Sequence, residues 1–311
     1  MPHPAFAASL GGLVFAASLF AQSWRLSGGA DGRIAAEDFR TADPVMKGVF
    51  LNTQKTFRDE MGDRWLAAFQ IDWEDNFREI LPYQTFLHYK GPLGRWNIRA
   101  GHFLLPFSLQ SEHDTERLLF QTLEEEMAGM RLDWGLNPFG YVGDFTWSTA
   151  LTGGVGETWP LHPPNGFLAT GRLGFANPSW SSGVSILVGE GRFAPDVARK
   201  GFTLSQQKVA LDFSAFLGQW IFRSEGIGGW EEGHATGGGN ILVDYALSRS
   251  LEMNGKGAVL QREGLRCEAG LGLTWQWGSL RTRVADSWIR AEGRIGNRAE
   301  AQIYYDFSKT L

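Results

Sequence analysis

From Trp24 to Phe307 the chain alternates apolar and polar residues about every second position, in short runs separated by turn residues. Successive side chains of a strand point to opposite faces, so each such run has one greasy and one wet face. In Trp65–Glu74 the odd positions are all apolar, and the even ones end in Gln70, Asp72 and Glu74. In Leu265–Trp277 one face reads Leu265, Cys267, Ala269, Leu271, Leu273, Trp275, Trp277, and the other Arg266, Glu268, Gly270, Gly272, Thr274, Gln276. Ala299–Phe307 splits in the same way. A pattern of this length suits an all-β chain closed into a transmembrane antiparallel up-and-down barrel, with lipid outside and water inside.

About sixteen such segments can be counted, each roughly 9–12 residues and so long enough to cross a bilayer when tilted. Their alternation is weakest in the second, twelfth and thirteenth, near residues 51, 243 and 255. The connections alternate too. Odd-numbered ones are long: Ala35–Pro44, Asp75–Pro82, Leu104–Ala128, Gly153–Asn165, Gly191–Thr203, Ile227–Gly238 and Arg290–Asn297, with Gln261–Gly264 the exception. Even-numbered ones are mostly short, such as Gly91–Gly94, Asn177–Ser181, Ser248–Ser250 and Trp277–Ser279. Outer-membrane barrels show this rhythm, with long external loops and short periplasmic turns.

Composition agrees. Aromatic residues reach 13% and Trp alone numbers 13. Trp24, Trp65, Trp73, Tyr83, Tyr89, Trp96, Trp220, Trp275 and Trp288 fall near segment ends on the apolar face, where a lipid–water boundary favours them. A soluble β-sandwich would need no such bands. Mean hydropathy is slightly negative, as expected when half of every strand faces water. Residues 1–21 read as a signal peptide, with Leu19-Phe20-Ala21 before Gln22 as the cleavage site; the alternative is a retained N-terminal helix. Residues 22–311 then form one barrel domain.

The net charge of −5 argues against nucleic acid as a partner. The single cysteine, Cys267, excludes a disulfide framework, and no CxxCH is present to attach haem. The histidines and carboxylates show no metal-ligand spacing, and no nucleophile–base arrangement can be read, so neither a cofactor nor catalysis is expected. Gly237-Gly238-Gly239 follows a long connection and reads as relief of crowding where the chain re-enters the barrel.

One stretch goes beyond pattern. Trp96–Gln110 contains Arg99, Gly101, Phe103, Pro106, Phe107 and Leu109 in the spacing Arg-x-Gly-x-Phe followed by Pro-Phe-x-Leu. It resembles the motif of the phosphate-selective porin O and P family, with Ser108 and Gln110 where that family has Gly and Glu. Gly129–Gly135 and Thr149–Gly154 resemble its continuation. The resemblance implies a sixteen-stranded porin in the outer membrane of a Gram-negative-type bacterium. Its third external loop, Leu104–Ala128, would fold into the lumen and narrow it. The residues point the same way. A loop carrying Leu104, Leu105, Phe107, Leu109, Leu118, Leu119, Phe120 and Leu123 is too apolar to hang in water, and loops this long are usually functional. Glu116–Met127 could form a short helix on the inner wall. A lid over the barrel mouth is the alternative.

With the polar face turned inward, basic lumen residues include Lys90, Arg95, Arg99, Arg131, Arg172, Lys208, Arg223, Arg266, Arg281 and Arg283. Acidic ones include Asp31, Asp72, Asp133, Asp212, Asp244, Glu252, Glu268 and Glu300. The two sets nearly balance, so the anion-attracting excess of a phosphate-selective pore is absent. Arg95, Arg99, Arg131 and Asp133 flank the third loop, which itself carries Glu112, Asp114, Glu116, Glu124, Glu125 and Glu126. Acids facing arginines across a gap would orient polar solutes; alternatively, the pairs simply pin the loop to the wall.

The expected function is diffusion of small hydrophilic solutes or ions across the outer membrane, with a homotrimer among the assemblies such a barrel allows. Two alternatives stand beside it: a sheath around a periplasmic multihaem cytochrome, and an outer-membrane enzyme.

Overall fold

The computed structural model describes residues 23–37, 43–59, 62–74, 79–109, 119–120, 123, 127–128, 131–157, 159, 166–192, 203–262 and 264–310. Residues 1–21, expected to be a signal peptide, lie outside the described residues. Among them are β1 (Trp24–Glu37), β2 (Asp43–Asp59), β3 (Gly62–Glu74), β4 (Glu79–Pro82), β5 (Thr85–Lys90), β6 (Trp96–Leu104), β7 (Leu132–Val142), β8 (Phe145–Thr152) and β9 (Leu168–Ala176). The second half comprises β10 (Trp180–Arg192), β11 (Thr203–Leu217), β12 (Trp220–Glu231), β13 (His234–Ala246), β14 (Leu251–Gln261), β15 (Leu265–Trp277), β16 (Leu280–Ala291) and β17 (Arg294–Thr310). Every strand pairs antiparallel with its sequence neighbour, and β1 pairs with β17, closing the sheet. β4 and β5 both pair with β3 and form one stave interrupted at Tyr83–Gln84, so the barrel has sixteen staves. The break follows Pro82, which has no N–H to give a ladder, while the Tyr83 N–H still reaches Gln70 O at 3.1 Å.

The two faces follow the alternation. Along β11, Leu204, Gln206, Lys208, Ala210, Asp212 and Ser214 are buried and turn inward, while Val209, Leu211 and Phe213 are exposed on the outer wall. The short-turn rim carries the denser aromatic belt: Trp24, Trp65, Trp96, Trp180, Trp220, Trp275 and Trp277. Its rings touch in pairs, such as Trp65–Tyr89 (4.8 Å), Trp220–Tyr245 (4.4 Å) and Trp275–Trp277 (4.6 Å). The opposite rim has fewer, with Trp230 and Trp288 exposed. Tyr83 is not in a belt: it is buried beneath the Arg131 guanidinium, 4.9 Å from its ring centroid.

Several expectations about the connections change. Glu79–Pro82, inside the expected loop Asp75–Pro82, is strand β4 paired with β3. Ile227–Gly238 and Arg290–Asn297 are not long loops. Their strands run on to two-residue turns at Glu232-Gly233 and Glu292-Gly293, with both residues of each turn at positive φ (49° and 79°, 50° and 76°). Hairpins of this kind usually announce themselves with Asn or Asp before Gly, and a glutamate gives a weaker signal. Gly237–Gly239 lies inside β13 rather than after a loop. The weak alternation of β13 and β14 also has a cause. Leu242, Ala258 and Leu260 are apolar yet point inward, and Ala258 and Leu260 join a buried cluster with Leu105, Phe107, Leu123 and Met127. Part of the inner wall is therefore an apolar seat for the third connection. In β2, by contrast, Lys55 lies on the outer face, its ammonium 4.6 Å from the Trp24 ring centroid and 5.4 Å from that of Phe57. Aromatic cover lets its stem lie along the apolar wall near the rim.

Candidate functional site

The connection between β6 and β7 starts within the motif Arg99–Leu109. Gly101 sits at φ +131°, and a Cβ there would collide with the Thr85 carbonyl oxygen and lie 2.7 Å from Phe86 Cα on the paired strand, so the position requires glycine. Phe103, Phe107 and Leu109 are essentially fully buried. Ser108, at φ 55°, turns the chain toward the opposite wall, and its N–H donates to Ser185 Oγ on β10 at 3.0 Å.

The anchor there is Glu225 of β12. One carboxylate oxygen accepts Ser108 Oγ–H (2.8 Å) and the Leu109 N–H (3.2 Å). The other accepts the Leu123 N–H (2.8 Å) and Asn240 Nδ2–H (3.2 Å). Both arms of the connection are thus tied to one buried side chain that points inward. Lys208 of β11 adds a bond from its ammonium to Met127 O and an ion pair to Glu231 (3.1 Å), and Gln206 Nε2–H reaches Ala128 O at 3.2 Å. Glycines clear the space beside them: a Cβ at Gly270 would meet the Phe120 ring at 2.8 Å, and one at Gly272 would collide with Leu119. Glu225 escaped the sequence reading, although the alternation that turns Arg223 inward also turns Glu225 inward.

Asp133, expected in a constriction, is completely buried and clasps the next connection. Its carboxylate accepts the consecutive N–H groups of Gly154 (2.6 Å), Val155 (2.9 Å) and Gly156 (3.1 Å), and that of Trp134 (2.9 Å). Arg131 pairs beside it with Glu157 at 3.4 Å. Asp133→Ala is expected to free residues 153–157, since bonds to a charged acceptor contribute about 1.5–3 kcal/mol each. Limited proteolysis of the folded protein should then cut at that segment; continued resistance would show the clasp to be dispensable.

The other predicted site residues are dispersed. Arg95 is exposed at the short-turn rim. Arg281 lies over the Tyr304 ring at 5.7 Å, and the buried Arg283 donates to Gln302 at 2.9 Å, both on β16. Glu112, Asp114, Glu116, Glu124, Glu125, Glu126 and most of the expected helix Glu116–Met127 lie outside the described residues. His88 faces Asn97 at 3.4 Å, while His102 stacks on Trp134 and turns its ring nitrogens to the carbonyls of Tyr83 and Gly156.

Charge is sorted around the wall. From β9 through β15, and again at β1 and β17, inward cations meet carboxylates: Arg172–Asp212 (2.7 Å), Arg223–Asp244, Lys256–Glu268 (3.3 Å), Arg266–Glu268 (3.0 Å) and Arg33–Asp31 (2.8 Å). Beside β5–β9 lies a cavity of about 750 Å³. It runs from Leu93 and Tyr141 at the short-turn rim to Leu104 and Pro106 at the loop root, and its walls include His88, Lys90, Asn97, Arg99 and Asn137. No carboxylate lines it among the described residues.

The closed sheet, outward apolar wall, aromatic belts and charged interior define a porin-type membrane barrel. No protein-family model and no curated protein matches the chain, so the likeness to the O and P porins rests on its motif. Solved structures do match. OmpT of Vibrio cholerae in its trimer form superposes with TM-score 0.70 at 8% identity, over 92% of this chain and all of that one. An anion-selective porin from Comamonas acidovorans gives 0.69 at 11% identity, over 92% and 100%. OmpF of Salmonella typhi in complex with daunomycin gives 0.67 at 10%, over 91% and 97%. At these identities the likeness is one of fold.

Proposed function

We propose that this protein is an outer-membrane porin of a Gram-negative-type bacterium, passing small hydrophilic solutes or ions by diffusion through a lumen narrowed by the third connection. The observation that carries this reading is the tie from both arms of residues 105–128 to Glu225 within a closed barrel. A segment held across the interior reduces the open section to the side away from its seat, where the cavity beside β5–β9 lies. The cytochrome-sheath reading has less support, because the chain's own residues cover the inner wall of β10–β15. An outer-membrane enzyme has no support from His88 or His102, which face an amide and backbone carbonyls.

A homotrimer fits the outer face of β16, β17 and β1. Ala30, Gly32, Ala299 and Ala301 keep that wall low, and Asp286 bonds Asn297 on the same face, where bare hydrocarbon would penalise the carboxylate. A second copy would cover both features.

Purified protein in planar bilayers is expected to conduct potassium chloride without a partner, in groups of three equal steps per insertion. Silence in every salt, together with haem co-purifying from native membranes, would reject the porin reading in favour of the sheath. Single steps would reject the trimer alone.

A further inference from the structure

We propose that the cavity beside β5–β9 is a binding subsite for a small organic monoanion with an apolar body, of the aromatic carboxylate class, and that Arg99 is its anchor. This deepens the porin reading by naming the solute class of the same lumen. Three observations carry it. The first is the state of Arg99. Its guanidinium carbon lies 4.7 Å from the Phe86 ring centroid, 5.1 Å from Phe139 and 5.9 Å from Phe103. Its Nε is buried with no hydrogen-bond partner, and among the described residues no carboxylate pairs with it. The inward arginines at Arg33, Arg172, Arg223 and Arg266 all have one. A half-buried cation without a counter-charge is costly to keep, and rings on its faces leave the N–H edge as the place where an anion can bind.

The second is the sign of the surroundings. Lys90 stands on β5 beside Arg99 as a second cation, and the His88 imidazole lies directly opposite Arg99 in register. Asn97 and Asn137 line the cavity as well, but their amide N–H groups already donate to Gly94 O (2.8 Å) and to Ser148 Oγ and Thr149 O (2.8 and 2.7 Å). Arg172 also reaches the cavity, although Asp212 already holds it.

The third is the apolar half. Leu93, Leu104, Pro106 and Phe139 line the same space. A carboxylate matches the planar fork of one arginine through two parallel N–H···O bonds. A phosphate dianion keeps more of its water and asks for more donors than one guanidinium edge supplies, and it would gain nothing from the apolar wall. A volume of about 750 Å³ accommodates a substituted benzoate.

The test is calorimetric titration of the full-length, detergent-folded protein with benzoate, benzyl alcohol and inorganic phosphate. Benzoate is expected to bind, with benzyl alcohol and phosphate each about tenfold weaker or worse. Arg99→Gln is expected to weaken benzoate about tenfold or more, and Lys90→Gln, at an exposed position, by a few-fold. Heat-modifiable mobility on gels checks that each variant is folded. If Arg99→Gln fails to fold, Lys90→Gln and the ligand series decide the matter. Phosphate binding as tightly as benzoate, benzyl alcohol binding equally well, or benzoate affinity unchanged in the folded variants would each overturn the proposal. Binding at equilibrium does not require conduction, so a channel that conducts but ignores benzoate defeats this inference alone. A protein that binds benzoate but never conducts defeats the porin reading.

Discussion

Replacing Glu225 with alanine is expected to raise single-channel conductance on the order of twofold and to admit larger neutral sugars. The carboxylate receives two bonds from Ser108 and Leu109 on one arm of the third connection, one from Leu123 on the other, and one from Asn240 on the wall. Hydrogen bonds to a charged acceptor contribute about 1.5–3 kcal/mol each, and water in the lumen would replace part of that. The remaining loss is enough to let the segment leave its seat for a fraction of the time, although Leu105, Phe107, Leu123 and Met127 still prefer the apolar wall. Glu225→Gln keeps one acceptor but brings an amide against the Leu123 N–H or the Asn240 amide, so an intermediate rise is expected. Planar-bilayer conductance and liposome swelling with sugars of graded size measure both variants. Conductance and size limit unchanged in folded Glu225→Ala would refute the third connection as the constriction.

Gly101→Val is expected to destabilise the barrel by about 2–4 kcal/mol, combining strain at a left-handed position with overpacking. Gly101 sits at φ +131°, and a side chain there would press on the Thr85 carbonyl and the Phe86 backbone. Relief requires β5 and β6 to separate locally, which would shift Arg99 two residues earlier and Phe103 two residues later. Gly101→Ala should show a smaller loss of the same sign. Urea unfolding of the detergent-folded protein, followed by tryptophan fluorescence, reads the difference. A valine variant as stable as the parent would mean that the positive φ is not required at this site. The glycine of the Arg-x-Gly-x-Phe motif thus has a mechanical reason, independent of any likeness to other porins.

Most of the wall was legible from period two alone. The sixteen segments expected near residues 29 to 303 lie on the sixteen staves, and the inward positions of β11 and β15 follow the alternation residue by residue. Legibility failed where a second requirement shared the inner face. Leu242, Ala258 and Leu260 make β13 and β14 look irregular because they are apolar yet buried on the inner face, and Ala258 and Leu260 serve a packed segment rather than water. Glu232-Gly233 and Glu292-Gly293 hid two hairpins, since a glutamate at positive φ is uncommon. Asp133 and Arg131, expected to flank the third connection as part of a constriction, hold residues 154–157 of the next one.

Taken alone, the order of residues determined that the chain closes into a two-faced barrel, how many times it crosses, and that its inward charges nearly cancel in number. Those properties are local or additive: a side chain's face depends on its parity along one strand, and a charge count on composition. Which charges cancel in space was decided only by the tertiary structure. Closing the sheet sets Asp212 against Arg172 and Asp244 against Arg223, brings Glu225 to both arms of a connection that begins over a hundred positions earlier, and leaves Arg99 among phenylalanines. Such pairings depend on distance across the lumen and on where one long segment comes to rest, and a period of two residues carries no information about either.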